Sequence, residues 1–158
     1  MPETPYFYQK LTGRELLLFL GRVRGLESTE ERIEDLACTF EFEGLDTEIG
    51  AYSKGMMQRL SIMTALLHSP ALLVLDEPTS GLDPRQGSIV KRLIREEREK
   101  GKAVFLSTHI TANAEEVCDR IGIIHRGRIL ALGSVDEVKK RANATTLEEA
   151  FVRIVEGA

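Results

Sequence analysis

Residues 52–84 read YSKGMMQRLSIMTALLHSPALLVLDEPTSGLDP, and the fold turns on how this stretch is divided. After Ser53 the apolar positions Met56, Met57, Leu60, Met63, Leu66 and Leu67 recur at helical spacing, with Ile62 beside them. The spacing predicts a helix that ends near His68-Ser69-Pro70. ALLVL, residues 71–75, is too short for a helix after Pro70 and reads as a strand buried on both faces. The carboxylate pair Asp76-Glu77 follows directly, then a second turn carrying Gly81 and Asp83. That order suits a site that grips phosphates and a metal ion. The 158 residues contain no G-x-x-x-x-G-K-[ST] loop, the usual phosphate cradle of such a site.

Working outward, Thr12 with Glu15 three positions on predicts a capping box and a helix running to about Gly25. Ser28 or Thr29 opens a second helix that ends near Gly44, with Ile33, Leu36, Ala37 and Phe40 on one face. Downstream, residues 85–100 form an amphipathic helix stopped by Gly101, and 103–106 a second buried strand ending in Ser107-Thr108-His109. A short helix follows. Then RIGIIH and RGRILALG read as a hairpin joined at Arg126-Gly127, before two terminal helices with Ser/Thr starts. From about residue 70 strands and helices alternate, which predicts a parallel α/β sheet with ligands at the carboxyl ends of its strands. No linker separates two domains.

Composition narrows the function. A hydrophobic content of 42% supports a core, and a net charge of −4 without a basic patch argues against nucleic acid. Cys38 and Cys118 have no metal spacing and read as reduced structural thiols. The start MPETPYFYQK has no basic then apolar region, so no signal peptide is expected. The apolar runs are far below the ~20 residues a membrane span needs.

Each candidate has a bland reading beside the chemical one. Asp76-Glu77 suit Mg²⁺, which takes one or two carboxylates plus phosphate oxygens, with the neighbouring acid polarising a water; alternatively they form a solvated turn. His109, at the end of the second strand, can hydrogen-bond a phosphate or an attacking water, whereas a lone His is more often a surface residue. Ser53-Lys54-Gly55 precede a helix whose N-terminal amides favour anions, although Ser53 also reads as a plain N-cap. By itself, Gly81-Leu82-Asp83-Pro84 is only a turn before a helix. His68 and His125 have no chemical context.

Taken together these residues resemble the nucleotide-binding subunit of ABC transporters, over essentially the whole chain. YSKGMMQR (52–59) looks like a variant of the LSGGQ signature, LLVLDE (72–77) like Walker B and SGLD (80–83) like the D-loop. Ser107-Thr108-His109 looks like the switch-histidine loop, and MPETP (1–5) like the tail of the Q-loop, with Glu3 where most members have Gln. The helices at 11–44 look like the family's helical subdomain.

The resemblance implies an α/β, P-loop NTPase-type parallel sheet, here without its P-loop strand, plus a helical subdomain. It implies one partial ATPase domain over 1–158, divided at about 1–69 (Q-loop tail, helical subdomain, signature helix), 70–133 (α/β core) and 134–158 (C-terminal helices). The cofactors would be ATP and Mg²⁺. Asp76 would support Mg²⁺, Glu77 would act as general base and His109 would hold the γ-phosphate. Ser53, Lys54, Gly55 and Met56 would meet the ATP held by a second subunit, Asp83 would contact across the dimer, and Glu3 would sit near the metal. Lys54 and Met56 depart from the Gly and Gln of the common signature, and Glu3 adds a negative charge.

The implied role is the ATP-binding subunit of an exporter, cytoplasmic and peripheral at the inner face of the cell membrane. Its partners would be a second ATP-binding subunit and a membrane-spanning permease, not nucleic acid. The alternative is a non-catalytic module that lends its signature motif to a complete partner subunit. A soluble ABC-type ATPase acting on ribosomes or DNA is disfavoured by the acidic charge. Without the P-loop region the chain is expected not to hydrolyse ATP alone, and to be unstable, aggregation-prone or paired with another chain.

Overall fold

The computed structural model describes residues 1–2 and 6–157. The chain divides into two compact units, Met1–Ser107 and Thr108–Ala158. The boundary falls at the end of a strand.

The first unit begins with α1 (Gly13–Val23), whose start is the expected capping box. The Thr12 hydroxyl accepts from the Glu15 amide, and the Glu15 carboxylate accepts from the Thr12 amide at 2.8 Å. α2 (Thr29–Thr39) packs closely on α1, because a Cβ on Gly21 would lie 2.3 Å from the Thr29 methyl. α2 stops five residues short of Gly44. Glu41 turns left-handed (φ 49°), and the Phe42 amide bonds back to the Ala37 carbonyl at 2.8 Å. A glutamate at such a position gives no glycine signal, so the stop is invisible in the sequence. α3 (Lys54–Leu66) buries Leu60, Ile62, Met63 and Leu66 against a core that includes Leu17, Ile33 and Phe40.

β1 (Leu72–Asp76) pairs in parallel with β2 (Ala103–Ser107), in register from Leu72 opposite Ala103 to Asp76 opposite Ser107. A parallel pair needs a crossover, and α4 (Pro84–Glu99) supplies it. Met1 lies along the other edge of β1: its amino group donates to the Val74 carbonyl at 2.8 Å and its carbonyl accepts from the Asp76 amide. The expectation that β1 is buried on both faces is corrected. Leu73 and Leu75 are buried, but Leu72 is 56% exposed, Val74 51% and Phe105 65%. A run of apolar residues says that a strand is apolar on both sides, not that both sides are covered.

At the start of β2 a buried carboxylate ties three elements. Glu97, 2% exposed, accepts from Lys100 Nζ at 2.8 Å and from Lys102 Nζ, and Lys102 Nζ also donates to Ser69 Oγ at 2.8 Å. Burial alone would raise the Glu97 pKa. The hydrogen bonds from Lys100 and Lys102 outweigh it and hold the carboxyl below its usual value.

The second unit opens with α5 (Thr111–Val117). β3 (Arg120–His125) and β4 (Arg128–Ser134) then form an antiparallel hairpin, as expected. Its two turn residues, Arg126 (φ 45°) and Gly127 (φ 75°), are both left-handed, the requirement of a two-residue hairpin turn that follows strand twist. α6 (Val135–Arg141) starts from Ser134 in a capping box with Glu137, and α7 (Leu147–Glu156) starts from Thr146. Ile121, Ile123, Ala131, Val138, Leu147 and Ala150 form the core of this unit. Ile124, Ile129 and Leu132 face outward. The α/β class with a parallel sheet holds: among the described residues β1–β2 is the parallel pair, and β3–β4 is a separate antiparallel one.

Two outcomes follow from these contacts. Glu97→Gln should cost about 2 kcal/mol, less than the ~3–5 of a fully buried pair because Lys100 is largely exposed. Because the folded pKa is depressed, the Glu97 contribution is present above the unfolded carboxyl value of about 4.3 and is lost as pH falls through the folded value, which chemical denaturation from pH 7 to pH 3 would follow. Val74→Thr combined with Phe105→Thr should roughly halve or further reduce binding of an apolar dye and self-association by light scattering. The same pair should change stability by no more than about 0.5 kcal/mol per site.

Candidate functional site

The end of β1 and the start of α3 converge within the first unit. Ser53 is the N-cap of α3, its Oγ accepting from the Met56 amide at 3.2 Å. The first-turn amides of Lys54 and Gly55 have no intrahelical acceptor, because the helix begins there. Ser53 and Lys54 are exposed, while Gly55 and Met56 are half-buried.

Gly81 lies against this turn. Its φ is +73°, and a Cβ on it would come within 2.9 Å of Lys54 Cδ and Cε. A Cβ on Gly55 would sit 3.4 Å from the Gly81 carbonyl oxygen and 3.7 Å from Leu82 Cδ2. Both glycines therefore serve a close approach of two turns that lie 26 positions apart in the chain (Gly55 and Gly81). Asp83, the N-cap of α4, accepts from the Gln86 amide through Oδ1 at 2.9 Å, and Pro84 takes the first helical position.

Asp76 ends β1, exposed, and its Oδ1 accepts a hydrogen bond from Ser107 Oγ across the ladder. Glu77 is half-buried and left-handed (φ 44°), uncommon for a residue with a side chain. Its backbone is held on both sides. The amide donates to the Ser107 carbonyl at 3.1 Å, and the carbonyl accepts from the Ser80 amide at 3.0 Å and from Gln58 Nε2 at 3.0 Å. Although both acids follow an apolar run, Asp76 is exposed and Glu77 only half-buried. What marks the pair is backbone strain at Glu77, which costs of order 1–3 kcal/mol and persists only when its surroundings over-determine it.

An exposed Asp at a strand end, oriented by a hydroxyl, suits a cation that keeps several waters and uses one or two carboxylates, which is the habit of Mg²⁺. Among the described residues no group of three or more His, Cys, Asp or Glu could form an all-protein metal cage.

Lys54 and Gly55 are thus brought against Gly81, whereas the Met56 methyl lies by Gly44, and Asp76, Glu77 and Ser107 meet at the ends of the β1–β2 ladder. His109 belongs to the second unit, two residues past β2, exposed, next to Thr108 whose Oγ1 accepts from the Ile110 amide at 3.1 Å. Glu3 lies outside the described residues. His68, at the far end of α3, has a buried Nδ1 with no hydrogen-bond partner, and burial, then Arg24 and Lys102, push its imidazole below the usual pKa.

Two residues escaped the sequence reading. Gln58, 2% exposed, sits in α3 among the apolar positions. A buried amide must be hydrogen-bonded, so a Gln on the apolar side of a helix is itself the missed signal. Arg59 donates through Nη1 to the Phe40 and Glu41 carbonyls at 3.2 Å and lies over the Phe42 ring, 5.3 Å from its centroid. It thereby fixes the foot of α3 to the loop after α2.

Residues 29–112 match the family described as "AAA domain, putative AbiEii toxin, Type IV TA system". The chain is 42% identical over 137 residues to a fluoroquinolones export ATP-binding protein of Mycobacterium tuberculosis, covering 87% of this chain and 45% of that one. It is 32% identical over 162 residues to the ABC transporter ATP-binding protein YthP of Bacillus subtilis, covering 99% of this chain and 69% of that one. A solved ATP-binding subunit of an ABC transporter superposes with a TM-score of 0.89 at 36% identity, covering 97% of this chain and 66% of that chain. The chain spans about half the length of most of the curated relatives it matches. With its α/β fold, the turn at Lys54-Gly55 packed on Gly81 and its Asp-Glu pair at a parallel strand end, the chain belongs to the family of ABC transporter ATP-binding proteins.

Proposed function

We propose that the chain is the C-terminal portion, over residues 1–158, of one ATPase domain of an ABC transporter. That domain would couple ATP binding and hydrolysis to export through a partner permease. The observation that carries the reading is the packing of Lys54 and Gly55 on Gly81, close to Glu77 and Asp76. It supports reading the N-terminal end of α3 as the anion-binding element and Glu77 as the general base.

The subdivision at about 1–69, 70–133 and 134–158 is part of the proposal, as are the roles. Ser53, Lys54, Gly55 and Met56 meet the phosphates of an ATP held by a second ATP-binding subunit. Asp83 reaches toward that subunit. Asp76 holds Mg²⁺, which when bound offsets phosphate charge. Glu77 accepts the proton of an attacking water, and His109 hydrogen-bonds the terminal phosphate. The partner permease places the subunit at the cytoplasmic face of the membrane. Among the described residues no helix is long and apolar enough to cross a membrane. The relative named for fluoroquinolones export supports an export role.

A second reading is a non-catalytic module that lends its signature turn to a complete partner subunit. The coding DNA separates the two: a phosphate-loop sequence read in frame upstream supports the full ATPase, and a stop codon directly upstream supports the lending module.

Assayed alone with MgATP, the chain is expected to hydrolyse no ATP above background. Mixed with a complete ABC ATP-binding subunit, it is expected to raise hydrolysis. Ser53→Ala should cut that stimulation roughly 10- to 100-fold, the range for losing a hydrogen bond to a charged group. Steady phosphate release that Ser53→Ala leaves unchanged would remove the signature role.

A further inference from the structure

The 77–82 turn carries the base candidate. Ser80 and Leu82 donate to the Glu77 and Thr79 carbonyls at 3.0 and 3.3 Å. Two other elements hold the turn against the rest of the unit. From β2, the Ser107 carbonyl takes the Glu77 amide. From α3, Gln58 Nε2 takes the Glu77 carbonyl. A carbonyl can be met only by a donor, so the NH₂ end of the Gln58 amide faces Glu77.

With the peptide groups on both sides of its Cα held, Glu77 has no freedom left in φ and ψ. Its left-handed conformation then dictates where Cβ, and with it the carboxylate, starts out. One turn nearer the N-terminus of α3, Lys54 lies on Gly81 with no space for a side chain there. The same helix therefore grips the turn at two points, one polar and buried, the other apolar and at the surface.

We propose that Gln58 is a positioning residue: its buried amide fixes Glu77 and the 77–82 turn to α3, so that the Ser53–Met56 end of the helix and the Glu77 carboxylate move as one body. The functional half of this rests on the roles proposed above for Ser53–Met56 and Glu77. If those hold, the signature turn, which meets one ATP, and the base, which serves another, are linked inside one chain, with Gln58 the hydrogen bond at the base. A shift of α3 on engaging the partner's nucleotide is then passed to Glu77 without crossing the ladder.

Hydrogen–deuterium exchange on the full chain tests the tie directly, using Gln58→Met, which keeps the shape without the donor, and Gln58→Glu, which donates only when protonated. With Gln58→Met, amides of 77–82 should exchange about tenfold faster than in the wild type while the β1–β2 ladder is unchanged. With Gln58→Glu the loss should be present at about pH 8 and largely recovered at about pH 5, because burial raises the pKa of the introduced acid above its ordinary value near 4.3. Gln58→Met should show no such recovery.

Unchanged exchange at 77–82 in Gln58→Met would overturn the proposal. So would faster exchange spread equally over β1 and β2, or a Gln58→Glu protein whose exchange relative to wild type does not depend on pH. In the mixed ATPase assay Gln58→Met should lower kcat several-fold with KM for ATP unchanged. If the wild-type chain gives no stimulation at all, the signature role fails, and the exchange results still decide the tie.

Discussion

The parallel pairing of β1 with β2 is the constraint on which the first unit depends. It forces a long connection, which α4 makes, and brings the carboxyl ends of both strands to one level. Asp76 comes opposite Ser107, whose hydroxyl meets the Asp76 carboxylate while its carbonyl takes the Glu77 amide. One serine therefore orients two consecutive acids by different atoms. At the other end of the ladder, Glu97 with Lys100 and Lys102 anchors the return of α4 into β2. The ladder is held at both ends by polar contacts and along one face by apolar burial.

Its second face is different. Leu72, Val74 and Phe105 point outward, and in the second unit Ile124, Ile129 and Leu132 do the same. Apolar side chains gain roughly 25 cal/mol per Å² when removed from water. Each unit is thus covered on one side of its strands and apolar on the other. Charge is set up locally, as in the Glu115–Lys139 pair at 2.7 Å, which lowers the pKa of Glu115. Caps recur at Thr12, Ser53, Asp83, Ser134 and Thr146, so five of the helices start from a side chain that accepts a backbone amide.

The left-handed Glu77 is where local and tertiary demands differ most. Nothing in Asp-Glu-Pro-Thr asks for a positive φ at the glutamate. The conformation holds because acceptors and donors from β2, α3 and the turn itself meet both of its peptide groups. Gly81 is the complementary case. Its positive φ and its contact with Lys54 both need glycine, and in a sequence either one alone reads as an ordinary turn.

Local chemistry determined much by itself. The capping box at Thr12, the helix after Ser53, the strand after Pro70 and the Arg126-Gly127 hairpin all depend on residues within a few positions of one another. The motifs that carry the family resemblance are similarly short. Tertiary structure alone decided the rest. It ended α2 at a left-handed Glu41 and left one face of β1 open. It laid Lys54 on Gly81 and turned Gln58 toward Glu77. Those outcomes depend on which atoms from distant segments arrive to satisfy a buried amide or to cover an apolar face, and residue spacing along the chain does not encode that arrival.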